Sequence, residues 1–208
     1  MQINNLKIKY EDKTVLSSLS LDIDKSEKVA ILGTSGTGKT SLIKALLSLV
    51  EYEGEIKDKP SFSVVFQEDR LVGELSAKEN VLLACPNANV EEMLKNVGIY
   101  DQRNDKVKTF SGGMKRRVSI ARALCKEHDF LLLDEPFNGL DIATKSALNR
   151  LIKTQTQQKG LLLVTHDLLL AYDLCSRIII LENDQVAIDK KTSEFSIEDA
   201  QKYFIDKY

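Results

Sequence analysis

Apolar positions in the second half of the chain alternate between two spacings. Short unbroken apolar runs at Phe130–Leu133, Leu161–Thr165 and Ile178–Leu181 read as buried strands. Between them, apolar residues recur every three or four positions, which predicts helices over Gly112–Cys125, Ile142–Gln158 and Leu168–Asp173. Strands this apolar need cover on both faces, so the alternation predicts a mainly parallel sheet between helices. The first forty residues differ. Ile3, Leu6, Ile8 and Tyr10 are spaced for a half-buried strand, and a turn at Glu11-Asp12-Lys13 leads to Val15, Leu16, Leu19, Leu21 and Ile23. This predicts an antiparallel hairpin beside the core. Val29–Leu32 is a further buried strand, followed by a helix-forming run through Leu42, Ile43, Ala45, Leu46 and Leu47. Tyr52–Ile56 and Phe62–Phe66 read as two more strands around the turn Asp58-Lys59-Pro60.

From about Leu71 to Thr109 the spacing is helical (Val81, Leu82; Met93, Leu94, Val97), broken by Cys85-Pro86-Asn87 and Gly98. Asn183–Tyr208 predicts a short hairpin and a terminal amphipathic helix. The expected fold is α/β. A single domain over 1–208 divides into a core (1–70 and 111–208), which includes the antiparallel part, and a small inserted helical subdomain over 71–110.

Composition narrows the functional classes. The 208 residues can hold one large α/β domain, or one core with a smaller attached lobe. Lys and Arg total 29 against 31 Asp and Glu, a formal charge of -2 that offers no global attraction for nucleic acid or an anionic membrane. Cys85, Cys125 and Cys175 are scattered and odd in number, which predicts reduced thiols in a cytoplasmic protein. The start Met1–Asn5 lacks a signal-peptide pattern. Leu161–Ala171, interrupted by His166 and Asp167, is too short to cross a bilayer, so any membrane role is expected through a partner.

The chemistry begins at Gly33-Thr34-Ser35-Gly36-Thr37-Gly38-Lys39-Thr40, a glycine-rich turn between a buried strand and a helix. Its glycines let backbone N–H groups converge on an anion, and the helix start adds its positive end. Lys39 would reach the β- and γ-phosphates, and the Thr40 hydroxyl would bind Mg²⁺. A mere helix-capping turn would not explain Lys39 beside Thr40. Strand Phe130–Leu133 ends in Asp134-Glu135-Pro136. Both acids then stand at the carboxyl edge of the sheet, Asp134 toward Mg²⁺ and Glu135 as acceptor of a proton from the attacking water. Gln67 and His166 also follow strands, within reach of the metal or water and of the γ-phosphate respectively. Ser111-Gly112-Gly113 opens a helix whose first turns carry Lys115, Arg116 and Arg117. Cations there oppose the helix dipole, which predicts a second anion-binding element.

Gly33–Thr40, Gln67, Phe110-Ser111-Gly112-Gly113-Met114, Leu131–Pro136, Gly139-Leu140-Asp141 and Thr165-His166-Asp167 together resemble an ABC-type ATPase over almost the whole chain. The resemblance implies a P-loop nucleotide-binding core that uses ATP and Mg²⁺. It implies that Tyr10, with Val15 nearby, stacks on adenine, and that Gly33 to Thr40 with Ser41 hold the phosphates. Thr40, Gln67 and Asp134 would serve the metal, and Glu135, His166 and Gln67 the reaction. Ser111, Gly112, Gly113 and Asp141 would meet ATP held by an opposite subunit. Met114 stands where Gln is usual and is similar to the ATPases of bacterial uptake systems for nitrate, sulfonate and taurine-like anions. Phe110 replaces the usual Leu, and Asn138-Gly139 a more usual Ser-Ala pair.

The implied function is the ATP-hydrolysing subunit of a transporter, dimerising with a second ATPase subunit to drive a separate transmembrane permease. An extracytoplasmic solute-binding protein is a further expected partner, nucleic acid is not, and the expected place is the cytoplasmic face of the membrane. A soluble ABC ATPase acting on nucleic acid or ribosomes is the alternative from another class. A nucleotide kinase would leave Ser111–Gly113 and His166 without a role.

Overall fold

The computed structural model describes residues 1–11 and 13–207, so Asp12 of the expected first turn and the terminal Tyr208 lie outside the described residues. Strands β1 (Gln2–Tyr10) and β2 (Lys13–Asp22) pair antiparallel. Strand β4 (Glu53–Lys57) joins the other edge of β1 to give a three-stranded antiparallel sheet. Ile3 and Leu6 are three apart yet both buried, because a register shift between them, with Asn5 at φ 49°, restores the inward direction.

The second sheet has six strands in the order β5-β6-β7-β3-β8-β9. These are β3 (Lys28–Leu32), β5 (Phe62–Val65), β6 (Phe130–Asp134), β7 (Gly160–Val164), β8 (Arg177–Glu182) and β9 (Gln185–Lys191), and only β9 runs antiparallel to its neighbour. The side-chain alternation of a strand feeds two cores. Phe130 and Leu132 join one cluster with the antiparallel sheet and helix α1 (Lys39–Leu46). Leu131 and Leu133 join the other, on the opposite face of the sheet. That second cluster gathers α2 (Ala77–Leu82), α3 (Val90–Asn96), α4 (Gly112–Cys125), α5 (Ile142–Gln155), α6 (Leu168–Leu174) and α7 (Ile197–Ile205). Arg177 ties the two sheets together, donating to Glu27, to Asp189 in a bidentate pair and to the Asp22 carbonyl.

The two strands expected around Asp58 form and belong to different sheets, so that turn is a crossover. Two expectations change. The late hairpin is β8 with β9 around Asn183-Asp184, both at positive φ as a two-residue turn requires, so its first strand precedes Asn183. The helix expected to reach Gln158 stops at Gln155, where the buried Thr156 hydroxyl bonds back to the Ile152 carbonyl at 2.8 Å.

Candidate active site

Four adjacent parallel strands deliver the site. The glycine-rich loop follows β3, His166 follows β7, Asp134 and Glu135 close β6, and Gln67 follows β5, all at the carboxyl edge of one sheet. Gly38, at φ 91°, lets the loop turn into α1 while touching β2, since a Cβ there would meet the Leu16 side chain and the Val15 carbonyl at 2.8 Å. Helix α1 starts without a side-chain cap and without an acid in its first turn, which leaves its first N–H groups available to an anion. Lys39 Nζ donates to the carbonyls of Gly33 (2.7 Å) and Thr34 (2.6 Å). Burial lowers the Lys39 pKa, while Glu135 and Asp134 oppose that shift.

Thr40 Oγ1 donates to Asp134 Oδ2 at 2.8 Å. Asp134 is almost fully buried, and its Oδ1 has no hydrogen-bond partner. Burial pushes this carboxyl up, with Thr40 holding it down and the neighbouring Glu135 adding to the rise. Glu135 sits at φ 47°, a left-handed conformation that costs about 1–3 kcal/mol for a residue with a Cβ. That backbone twist lies at the site itself. Glu135 Oε2 accepts from Thr165 Oγ1 at 3.2 Å, and Oε1 lies 2.8 Å from His166 Nδ1.

Three cavities meet at the loop. One of about 260 Å³ is lined by Val15, Ser35 and Gly36 of the loop, the helix start from Gly38 to Ser41, Gln67, Asp134 and Glu135. A second of about 450 Å³ joins Gly33, Thr34, Lys39 and Glu135 to His166, Leu168 and Phe204. A third of about 460 Å³ runs from Thr37 past Val15 to Asn183 and Asp184. Tyr10 is exposed at the end of β1 and lines none of the three. Ser111–Gly113 likewise line none of them. Ser111 caps α4 through Met114 N at 3.3 Å, and a Cβ on Gly113 would touch Leu140 at 3.4 Å, so the segment packs on the loop before Asp141. Asp141 caps α5 by accepting from Thr144 N and Oγ1.

The charge argument at α4 needs correction. Arg116 is 5% exposed, and its guanidinium donates to the carbonyls of Phe66 (2.6 Å) and Gln67. Arg117 donates to the Gly98 carbonyl at 2.5 Å. Two of the three cations are thus engaged inside the chain and do not call for an external anion. Two contributors escaped sequence reasoning. Thr165 carried no signal beyond standing before His166, and Phe204 lies on α7, too distant in sequence for any local pattern to place it beside the loop.

A phosphate loop on the carboxyl edge of a parallel sheet, joined by a hydroxyl–carboxylate contact to an acidic pair, defines a P-loop nucleoside-triphosphate hydrolase. Residues 16–138 match the family described as ABC transporter. The chain is 37% identical to the aliphatic sulfonates import ATP-binding protein SsuB 3 of Paraburkholderia xenovorans (strain LB400), covering 90% of this chain and 78% of that one. It is 38% identical to SsuB 2 of Pseudomonas syringae pv. syringae (strain B728a), over 90% and 71% of the two chains. A solved ATP-binding subunit of an ABC transporter superposes with a TM-score of 0.84 at 27% identity, covering 93% and 90%. The chain belongs to the ABC transporter family as an ATP-binding, ATP-hydrolysing subunit. Among the described residues no helix is long and apolar enough to cross a membrane.

Proposed function

We propose that two such subunits close head to tail around two ATP molecules and drive a separate permease from the cytoplasmic face of the membrane. One observation carries this reading. Ser111–Gly113 stand outside the cavities around the phosphate loop, beside the loop that ends in Asp141, so their nucleotide comes from another subunit. Within each subunit the loop N–H groups, Lys39 and Ser41 take the phosphates, and Val15 and Tyr10 would take the adenine. Lys39 exchanges its carbonyl contacts for phosphate oxygens. The site fits Mg²⁺, because the Thr40 hydroxyl beside a buried carboxylate with an unpartnered oxygen offers the oxygen donors that ion takes. Thr40, Asp134 and Gln67 would hold it, and when bound it neutralises charge developing on the β- and γ-phosphate oxygens. Glu135, steadied by Thr165 and His166, accepts a proton as water oxygen bonds to the γ-phosphorus. The bond to the bridging oxygen breaks, and ADP and phosphate leave. His166 contacts the γ-phosphate and senses its loss.

The relatives are named as import proteins, which supports uptake as the direction and a solute-binding protein as a further partner. They also favour transport over a nucleic-acid role. The helical subdomain over 71–110 would meet the permease. The test is dimer formation: with Mg–ATP, Glu135→Gln should dimerise by light scattering. Adding Ser111→Arg should abolish the dimer while a fluorescent ATP analogue still binds the monomer. Unchanged dimerisation would overturn the head-to-tail reading.

A further inference from the structure

We propose that Arg116 is a positioning residue that binds the backbone of the Gln67 segment to helix α4, so that the γ-phosphate sensor and the Ser111 segment move as one body. The proposal rests on the roles assigned to Gln67 and Ser111 above.

Residues 66–70 leave β5 as irregular chain, and their carbonyls need partners other than a ladder or helix. Helix α4 supplies them. Arg116 donates to the carbonyls of Phe66 and Gln67, and its Nε lies 3.4 Å from Asp69 Oδ1. Arg122, farther along the same helix, donates to the carbonyls of Arg70 (2.7 Å) and Asp69 (3.0 Å). Two guanidinium groups of one helix therefore hold four of the five carbonyls between the sheet edge and the helical segment. These are charge-assisted forks, stronger than neutral hydrogen bonds. Arg116 cannot release them cheaply, because a cation this buried would be left unpaired. A shift of Gln67 toward a γ-phosphate therefore pulls on α4 a short way from Ser111.

A double-mutant cycle separates positioning from bulk stability. ATP turnover is measured at saturating Mg–ATP for the full chain, Gln67→Ala, Arg116→Met and the double variant, with ATP affinity and melting temperature taken alongside. Arg116→Met should cut kcat by about 10- to 100-fold, the range for a misplaced group, with ATP affinity within about threefold of the parent. If Arg116 acts through Gln67, the double variant is no slower than the slower single variant. If Arg116→Met does not fold, Arg116→Lys, which keeps a buried cation but has no fork to span both carbonyls, carries the same cycle with a smaller loss. Should Gln67→Ala turn over like the parent, the role given to Gln67 fails and the proposal with it. Should Gln67→Ala be slow while the Arg116 effect multiplies with it, or Arg116→Met match the parent, the positioning proposal alone is overturned.

Discussion

Glu135→Gln asks the site to lose chemistry without losing structure. The change removes the carboxylate that contacts Thr165 and His166, and keeps its length and shape. Loss of a general base costs about 10²–10⁴-fold, or about 3–5 kcal/mol of barrier at 1.36 kcal/mol per decade. Folding should respond the other way. Glu135 adds negative charge beside Asp134, whose carboxyl burial already pushes up, and the amide removes that repulsion. The amide oxygen still accepts from Thr165, and the positive φ is unaltered. The variant should therefore melt at or slightly above the parent temperature, bind ATP normally and release phosphate at least a hundredfold more slowly. The assay is single-turnover phosphate release at saturating Mg–ATP, read beside a thermal melt. Turnover within about threefold of the parent would remove Glu135 from the chemistry. A clear fall in melting temperature would refute the electrostatic half of the argument.

Two further predictions concern the scaffold. A Cβ at Gly160 would sit 2.0 Å from two Phe130 ring atoms and 2.7 Å from the Lys25 carbonyl, so Gly160→Ala should cost at least about 1–3 kcal/mol. An unchanged urea midpoint would contradict it. His128 is buried with Nδ1 2.6 Å from the Lys126 carbonyl and Nε2 unpartnered, and burial holds its pKa below the ordinary 6.5. The unfolded chain then protonates first as pH falls, so stability holds above about pH 6.5 and declines below it, by at most about 1.4 kcal/mol per pH unit. His128→Gln should flatten that decline in urea melts at pH 7.5 and 5.5; equal pH slopes for parent and variant would exclude it.

The buried strands were legible because burial on both faces leaves nothing but apolar residues, as in Phe130–Leu133, and their ends fell within a residue or two of the observed bounds. Their order was partly legible: β6 and β7 lie side by side as the placing of His166 beside Asp134 requires. Which sheet a strand enters was not. Glu53–Lys57 is charged and Phe62–Val65 apolar, yet neither names its partner strand: β4 is chosen by its pairing with β1 and β5 by its pairing with β6. The loop residues, the acidic pair, Gln67 and His166 come to one edge because each directly follows a strand. Tyr10 also ends a strand, yet in the other sheet, and it lines none of the three cavities.

The cations of α4 show how a local rule can flag a place and misassign its cause. Opposing a helix dipole costs about 0.3–1 kcal/mol, whereas a hydrogen bond to a charged group contributes about 1.5–3 kcal/mol. Two such bonds from Arg116 outweigh the dipole, but their acceptors lie 50 and 49 positions earlier in the chain, where no periodicity or cap signal reaches. The conflict visible at Ser111 is therefore settled by the segment carrying Gln67 rather than by an anion. That transfers the case for a nucleotide at Ser111 from charge to exposure: a capped helix start carrying two glycines, free of crowding at Gly112 and packed on the Asp141 loop at Gly113, is open to a neighbouring subunit whatever the side chains behind it carry.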